Sequence, residues 1–418
     1  MTVTATPQSP ASERKPGAGY WLKKNLFRTR LDSVISVVFG ALSVYLLVRV
    51  FLFVFVNGRW EIIRVNLKLL LVGRWPSEEM TVLAVAIIVM GLWGGVIAGL
   101  IAGRQRLAGT STAAGMNAAE RVSDLVRRFG LIFATILLLL LLTSTAGPWL
   151  TMLLALVAAL VGYWLGRVAG LRKWGALANW VGVLLLAGIP IGVFLYTTAA
   201  TPLAEWEGFF FNLTSAAAGI ILSFPIGVVL ALSRRSKLPL LKSASIAYIE
   251  VVRGSPLFVL LLLANVSLEF FVPAALAPSK VVRAIVTFTI FSAAYVAEIV
   301  RGGLQSVPNG QSEAAKALGL SAYKQTSLIV LPQALRNVIP AQIGQFIALF
   351  KDTTLAGVAL GILDLLNGAG AITQQPDFRG QGLIIEALVF VAFLFWVGSF
   401  TMSRESQRLE RKLGVGTR

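Results

Sequence analysis

Apolar runs of about 18 residues or more recur along the chain, and a segment of that kind has few folds open to it. Inside lipid every N–H and C=O must find a partner within its own segment, so these runs predict helices. Ten candidate spans follow, at about 33–56, 80–103, 129–146, 149–167, 176–198, 209–232, 255–272, 282–301, 338–366 and 383–403. The expected fold is an all-α integral membrane protein of about ten transmembrane helices. With 56% hydrophobic and 13% charged residues, the chain is too apolar for an ordinary soluble domain.

Lys and Arg number 37 against 19 Asp and Glu, a formal charge of +18. In a membrane chain that excess reflects basic cytoplasmic loops and anionic lipid, and no nucleic-acid-reading motif accompanies it. The clusters are Arg14/Lys15/Lys23/Lys24/Arg28/Arg30, Arg104 to Arg128, Arg167 to Lys173, Arg234/Arg235/Lys237/Lys242, Lys316/Lys324/Arg336 and Arg404 to Arg418. Ten spans with both termini cytoplasmic place all of them on one side. Arg59, Arg64, Lys68, Arg74 and Lys280 fall on the other side as exceptions. The chain has no Cys and no His, which removes disulfides, thiolate nucleophiles, histidine bases and the usual zinc sites. No catalytic set, metal site or cofactor of its own is expected.

Residues 1–31 are polar and basic without an apolar stretch of signal-peptide length, and read as a cytoplasmic tail. Arg49 interrupts the first span, where it reaches toward an interface or a helix partner. Between residues 57 and 79 a short, twice-charged amphipathic piece, 62–71, is expected to lie at the membrane interface. Gly95 and Gly99 form a small-xxx-small pair in the second span. The acidic stretch 199–208, with Glu205 and Glu207, sets a boundary. It divides an N-terminal membrane region, 32–204, from a core, 205–403, that contains a loop at 302–336 and is followed by a tail at 404–418.

The loop carries the most informative pattern. Glu313-Ala314-Ala315 is followed after three residues by Gly319, and nine further residues lead to Ile329-Val330-Leu331-Pro332. Two short helices fit it: Ser312 caps the first and Gly319 ends it, while Ser321 caps a second that stops at Pro332. Ala314, Ala315 and Ala317 give the first helix a thin face for close packing. This spacing resembles the coupling-loop signature of the membrane subunits of ATP-binding-cassette importers. In that family the loop sits in a groove of the ATP-hydrolysing subunit, which implies coupling roles for Glu313, Ala314, Ala315, Gly319, Leu331 and Pro332.

Lys351-Asp352-Thr353-Thr354 breaks the apolar run from Val338 to Leu366. A helix entering near Val338 puts Lys351 roughly 20 Å deep at ~1.5 Å per residue, where charged groups need partners or a wet cavity. A neutralised Lys351–Asp352 pair that only shapes a helix break is the competing reading. Glu298 lies three residues before Arg301, so an intrahelical ion pair competes with a ligand role. Around Ser255, Gly254 and Pro256 suggest a non-helical entry with exposed backbone groups, or a plain helix start.

In order, RGSPL, SAAYVAEIVRGG, the loop and FKDTTLAGV resemble the permeases for polar amino acids, over residues 205–410. That resemblance implies a mid-membrane amino-acid site at Lys351, Asp352, Thr353 and Thr354, with Glu298 and Ser255 contributing. It also implies delivery by an extracytoplasmic binding protein, a second permease subunit, and a partner ATPase that binds ATP and Mg. The N-terminal extension resembles the longer permease of general L-amino-acid systems, which forms a heterodimer. The location implied is the bacterial inner membrane. No Gly-x4-Gly-Lys-Ser/Thr loop occurs, so ATP hydrolysis belongs to another chain. Two other readings are an inert structural partner subunit and an intramembrane enzyme using Glu298 and Asp352 as an acid/base pair.

Overall fold

The computed structural model describes residues 18–107, 118–143, 145–172, 176–267, 272–273 and 277–414. Arg14, Lys15, Lys173, the middle of the 104–128 loop and the last four residues of the C-terminal tail lie outside the described residues. Two compact units divide the chain at Trp60/Glu61, so the boundary expected near 204/205 falls inside the second unit. The first holds helix α1 (Ala18–Asn25) and helix α2 (Arg30–Leu52). Thr29 caps α2 by accepting from the Asp32 N–H at 3.1 Å. A π-helical turn, Phe53–Asn57, lengthens α2 to a 28-residue apolar helix with none of its apolar window buried. An apolar surface on every side is what lipid accommodates.

The second unit begins with α3 (Glu61–Val65) and α4 (Leu67–Val72). Their apolar side is covered by protein rather than left open for lipid. Ile62 and Leu70 are fully buried, and Arg64 and Lys68 face outward. An amphipathic helix satisfies the same physics against a protein face as against lipid. Long helices follow: α5 (Met80–Leu107), α6 (Ala118–Leu142), α7 (Ala146–Gly170), α8 (Ala176–Ala200) and α9 (Gly208–Arg234). Next come α10 (Pro239–Gly254), α11 (Leu257–Val266) and α12 (Lys280–Ser306). The loop region contributes α13 (Asn309–Ala317) and α14 (Ala322–Lys324). Last are α15 (Leu331–Asp352), α16 (Leu355–Leu360), α17 (Leu365–Ile372) and α18 (Ile384–Leu413).

By length and apolarity, six helices among the described residues can cross a membrane, and seven if the bent pair α10–α11 is one span. Gly130–Leu142 and Leu184–Ala200 are shorter apolar helices among the described residues, so the count of ten is confirmed in part. Within the expected span 255–272 the described residues form a ten-residue helix, α11, set off from α10 by a 101° bend at Ser255–Pro256. Pro256 cannot continue the α10 hydrogen-bond ladder, which explains the break. The expected span 338–366 is likewise divided, since α15 starts at Leu331 and ends at Asp352.

Helices α5 and α7 run in the same direction in backbone contact. A methyl group on Gly95 would lie 2.1 Å from the Ala159 carbonyl oxygen, and one on Gly99 2.2 Å from that of Tyr163. From the other side, Gly166 meets the Val96 carbonyl at 2.1 Å. The Gly95/Gly99 pair is thus half of a two-sided glycine seam of the kind that lets membrane helices approach closely. Gly95→Leu is expected to force the backbones apart at a cost of about 2–3 kcal/mol, read as a lowered melting temperature in detergent. Gly94→Leu, with open space around its Cβ, is the control expected to change nothing.

The centre of the second unit is α9, α12 and α15. Parallel α9 and α12 touch where Gly219 meets Phe288 and Gly227 meets Val296. Antiparallel α15 brings Leu349 to Gly219 at one end and Ala334 and Val338 to Gly303 at the other. One end of this bundle is basic, with Arg234, Arg235 and Arg301. The far end holds the starts of α5 and α9, joined through Trp75, Trp206 and Phe210.

Candidate functional site

Two polar features stand at opposite ends of α15. At the basic end, α13 is ended by Gly319, whose φ of +72° a glycine adopts without strain. The Leu320 N–H donates to the Ala315 carbonyl at 3.1 Å, closing the helix end. Ser321 caps α14 as expected, accepting from the Lys324 N–H at 3.4 Å. Ser312 is not the cap of α13: that position is Pro308, and Ser312 lies within the helix. Nor does Pro332 stop the second helix. Residues Gln325–Val330 form a wide π turn that runs directly into α15, with Pro332 in its first turn. A wider turn makes room for the proline ring, and the first turn has no need of its missing N–H.

Ala315 is buried inside this hairpin, at 1% exposure. Glu313, Ala314 and Ala317 face outward, and Leu318, Tyr323 and Leu328 are 78%, 81% and 66% exposed. Three large apolar side chains and an alanine face on one protruding hairpin make a surface suited to a protein partner.

At the far end, Lys351 is exposed, Asp352 and Thr354 are half-buried and Thr353 is fully buried. The helix reaches them about 30 Å from Leu331 at ~1.5 Å per residue, because it starts earlier than Val338. Sequence reasoning missed the groups that fix this break. Asn212, on the first turns of α9, donates from Nδ2 to Thr353 Oγ1 at 3.1 Å and to Asp364 Oδ2 at 3.2 Å. Its Oδ1 accepts from the Leu365 N–H at 3.1 Å, and Asp364 caps α17 by accepting from the Asn367 N–H at 3.0 Å. Asn212, Thr353 and Asp364 are all fully buried. A buried polar network in which each member is satisfied rigidifies its surroundings. The available signal was an Asn among Phe209–Leu213 and an Asp inside an apolar run.

Glu298 and Ser255 are not brought to this group. The α12–α15 register puts Glu298 about 16 Å along the bundle from Asp352. Its carboxylate is bonded by Arg301, lies 3.3 Å from Arg234 Nη1 and 3.8 Å from Arg253 Nη1, and so is held by three guanidinium groups. Arg234 also pairs with Glu250 at 3.1 Å, and Arg253 stacks over Tyr295 at 5.4 Å. The acid/base pair of Glu298 and Asp352 is therefore not assembled. Ser255 sits at the α10–α11 bend and donates to the Val251 carbonyl at 2.8 Å. It lies about 15 Å, the length of α11, from where Asn265 meets the Ala359 carbonyl. Among the described residues no group of His, Cys, Asp or Glu could hold a metal ion.

The exposed hairpin and the polar break share one continuous helical path, from α14 through the π turn into α15. The chain belongs to the family of binding-protein-dependent transport system inner membrane components, whose family model matches residues 223–415. It is 34% identical to the glutamate/glutamine/aspartate/asparagine transport system permease protein BztC of Rhodobacter capsulatus, over 97% of this chain and 95% of that one. It is 42% identical to the inner membrane amino-acid ABC transporter permease protein YhdY of Escherichia coli, over 51% of this chain and 57% of that one. A solved amino acid ABC transporter with histidines matches at 32% identity over 52% of this chain and 98% of that one, with a TM-score of 0.44. The protein is a multi-pass inner-membrane transporter subunit.

Proposed function

We propose that this chain imports polar L-amino acids as one of two different permease subunits. Its basic end is cytoplasmic, with both termini on that side, following the distribution of Lys and Arg. A separate ATPase, holding ATP and Mg, docks on the α13–α14 hairpin through Glu313, Ala314, Leu318 and Tyr323. The observation that carries this reading is the unbroken path from that hairpin through the π turn into α15, whose other end is Lys351–Thr354. ATP-driven closure of the ATPase pair presses on the hairpin, tilts α15 and opens the broken end alternately outward and inward. An extracytoplasmic binding protein delivers the amino acid to the far end.

Lys351 suits the substrate carboxylate and Asp352 its ammonium, with the hydroxyls of Thr353 and Thr354 beside them. The test is uptake of labelled L-glutamate and L-glutamine by proteoliposomes containing the whole transporter. Lys351→Ala and Asp352→Asn are expected to lower kcat/KM at least tenfold, roughly the loss of one charge-assisted contact, with assembly unchanged. Unaltered uptake in both variants would place the amino-acid site in the other permease subunit.

A further inference from the structure

The N-terminal extension touches the permease core through a small set of specific contacts. Glu207, 5% exposed at the start of α9, accepts from the Arg74 backbone N–H at 3.0 Å and from the Arg74 guanidinium. Proximity to Glu207 raises the Arg74 pKa, as expected of a cation with a bound counter-charge. Gly73 and Gly208 both have positive φ and meet backbone to backbone, so that a Cβ on Gly208 would lie 2.7 Å from the Gly73 nitrogen. The Gly208 N–H in turn donates to the Leu363 carbonyl at 2.7 Å. Nearby, Gln375 Nε2 donates to Asn66 Oδ1 at 2.7 Å, and Leu70 packs beside Gly368 on α17.

These contacts form one chain. It runs from Arg74 to Glu207 and Gly208, on to Leu363 and Asp364, and through Asn212 to Thr353, the residue that follows Lys351 and Asp352. We propose that residues 61–79 are a positioning collar for the amino-acid site, acting through Glu207 and Asn212 on Thr353 and Asp364. The collar rests on the reading of Lys351–Thr354 as that site. It gives the first stretch of the extension in this unit a task beyond anchoring: it fixes how the broken end of α15 is presented. Asn212 is the pivot, because its single amide binds both sides of the break, Thr353 at the end of α15 and Asp364 at the start of α17. A rigid polar pivot of this kind sets side-chain geometry at a neighbouring site without touching the ligand.

The experiment uses the whole reconstituted transporter with its ATPase, partner permease and binding protein, and labelled L-glutamine as probe. Asn212→Leu is expected to raise KM about tenfold with kcat within about twofold, Arg74→Met only about two- to threefold because its side chain is 75% exposed and screened by water, and the double variant to be no worse than Asn212→Leu alone. Arg74→Lys, which keeps the charge, is expected to recover most of the affinity. A ligand-independent readout uses the absence of cysteine from this chain. With Thr354→Cys as the one thiol in the subunit, maleimide labelling is expected to be at least about threefold faster in the Arg74→Met and Asn212→Leu backgrounds, as local opening becomes easier. Unchanged labelling in both backgrounds, or KM effects that simply multiply, would overturn the collar. Faster labelling with no KM change in any variant, Lys351→Ala included, would keep the collar and remove the amino-acid site from Lys351–Thr354. If Arg74→Met fails to assemble, Glu207→Gln, which keeps size and the N–H acceptor, carries the same comparison.

Discussion

Gly319→Asp is expected to abolish stimulation of the partner ATPase by amino-acid-loaded binding protein while leaving the pair of permease subunits assembled. The structure separates the two effects. Nothing lies within 4 Å of a Cβ built on Gly319, so the side chain meets no steric obstacle. The φ of +72° costs an aspartate about 1 kcal/mol, too little to unfold a hairpin closed by the Leu320–Ala315 hydrogen bond. What changes is the surface: a carboxylate appears beside Leu318 and two residues from Ser321, in a patch that also exposes Tyr323 and Leu328. An unpaired charge carried into the centre of an interface costs 2 kcal/mol or more, so docking weakens at least about thirtyfold. Gly319→Asn offers nearly the same shape and backbone tolerance without the charge, and is expected to keep part of the stimulation. Full stimulation in the aspartate variant would show that force enters elsewhere.

The hairpin was legible because its residues act locally: an alanine face, a left-handed glycine and a serine cap all depend on neighbours a few positions away. Its end was misread because proline is as compatible with the first turn of a helix as with the last, and only the π turn before Pro332 decides between them. The protein cover over residues 62–71 was not legible for a related reason, since a half-apolar, half-charged helix carries no record of whether lipid or protein covers it. Asn212 and Asp364 were invisible singly. Their meaning lies in each other, 152 positions apart, and a lone polar residue in an apolar run has no period to betray it. Of the arginines around Glu298, only Arg301 was foreseeable, because three residues on one helix bring side chains together. Arg234 and Arg253 arrive from α9 and α10, which no spacing rule could supply.

That arginine cluster carries the second large effect. Glu298→Ala leaves Arg234, Arg253 and Arg301 with Glu250 as the nearby counter-charge among the described residues. Removing one partner of a fully buried ion pair costs about 3–5 kcal/mol, but these side chains keep 23–35% of their exposure and water screens them. A loss of about 1–3 kcal/mol is expected, read as a fall in melting temperature of the solubilised protein. Arg301→Ala is expected to cost less, since Glu298 keeps two guanidinium partners. The double variant Glu298→Ala/Arg301→Ala should recover part of the loss by removing a repelling charge, a coupling that a cycle measures directly. The three helices joined here are α9, α10 and α12, and α10 ends at the 101° bend, so the carboxylate ties the bent pair to two of its neighbours. An undiminished melting temperature together with a raised KM for amino-acid uptake would mean that the arginines release Glu298 during transport, and that its carboxylate then meets the substrate.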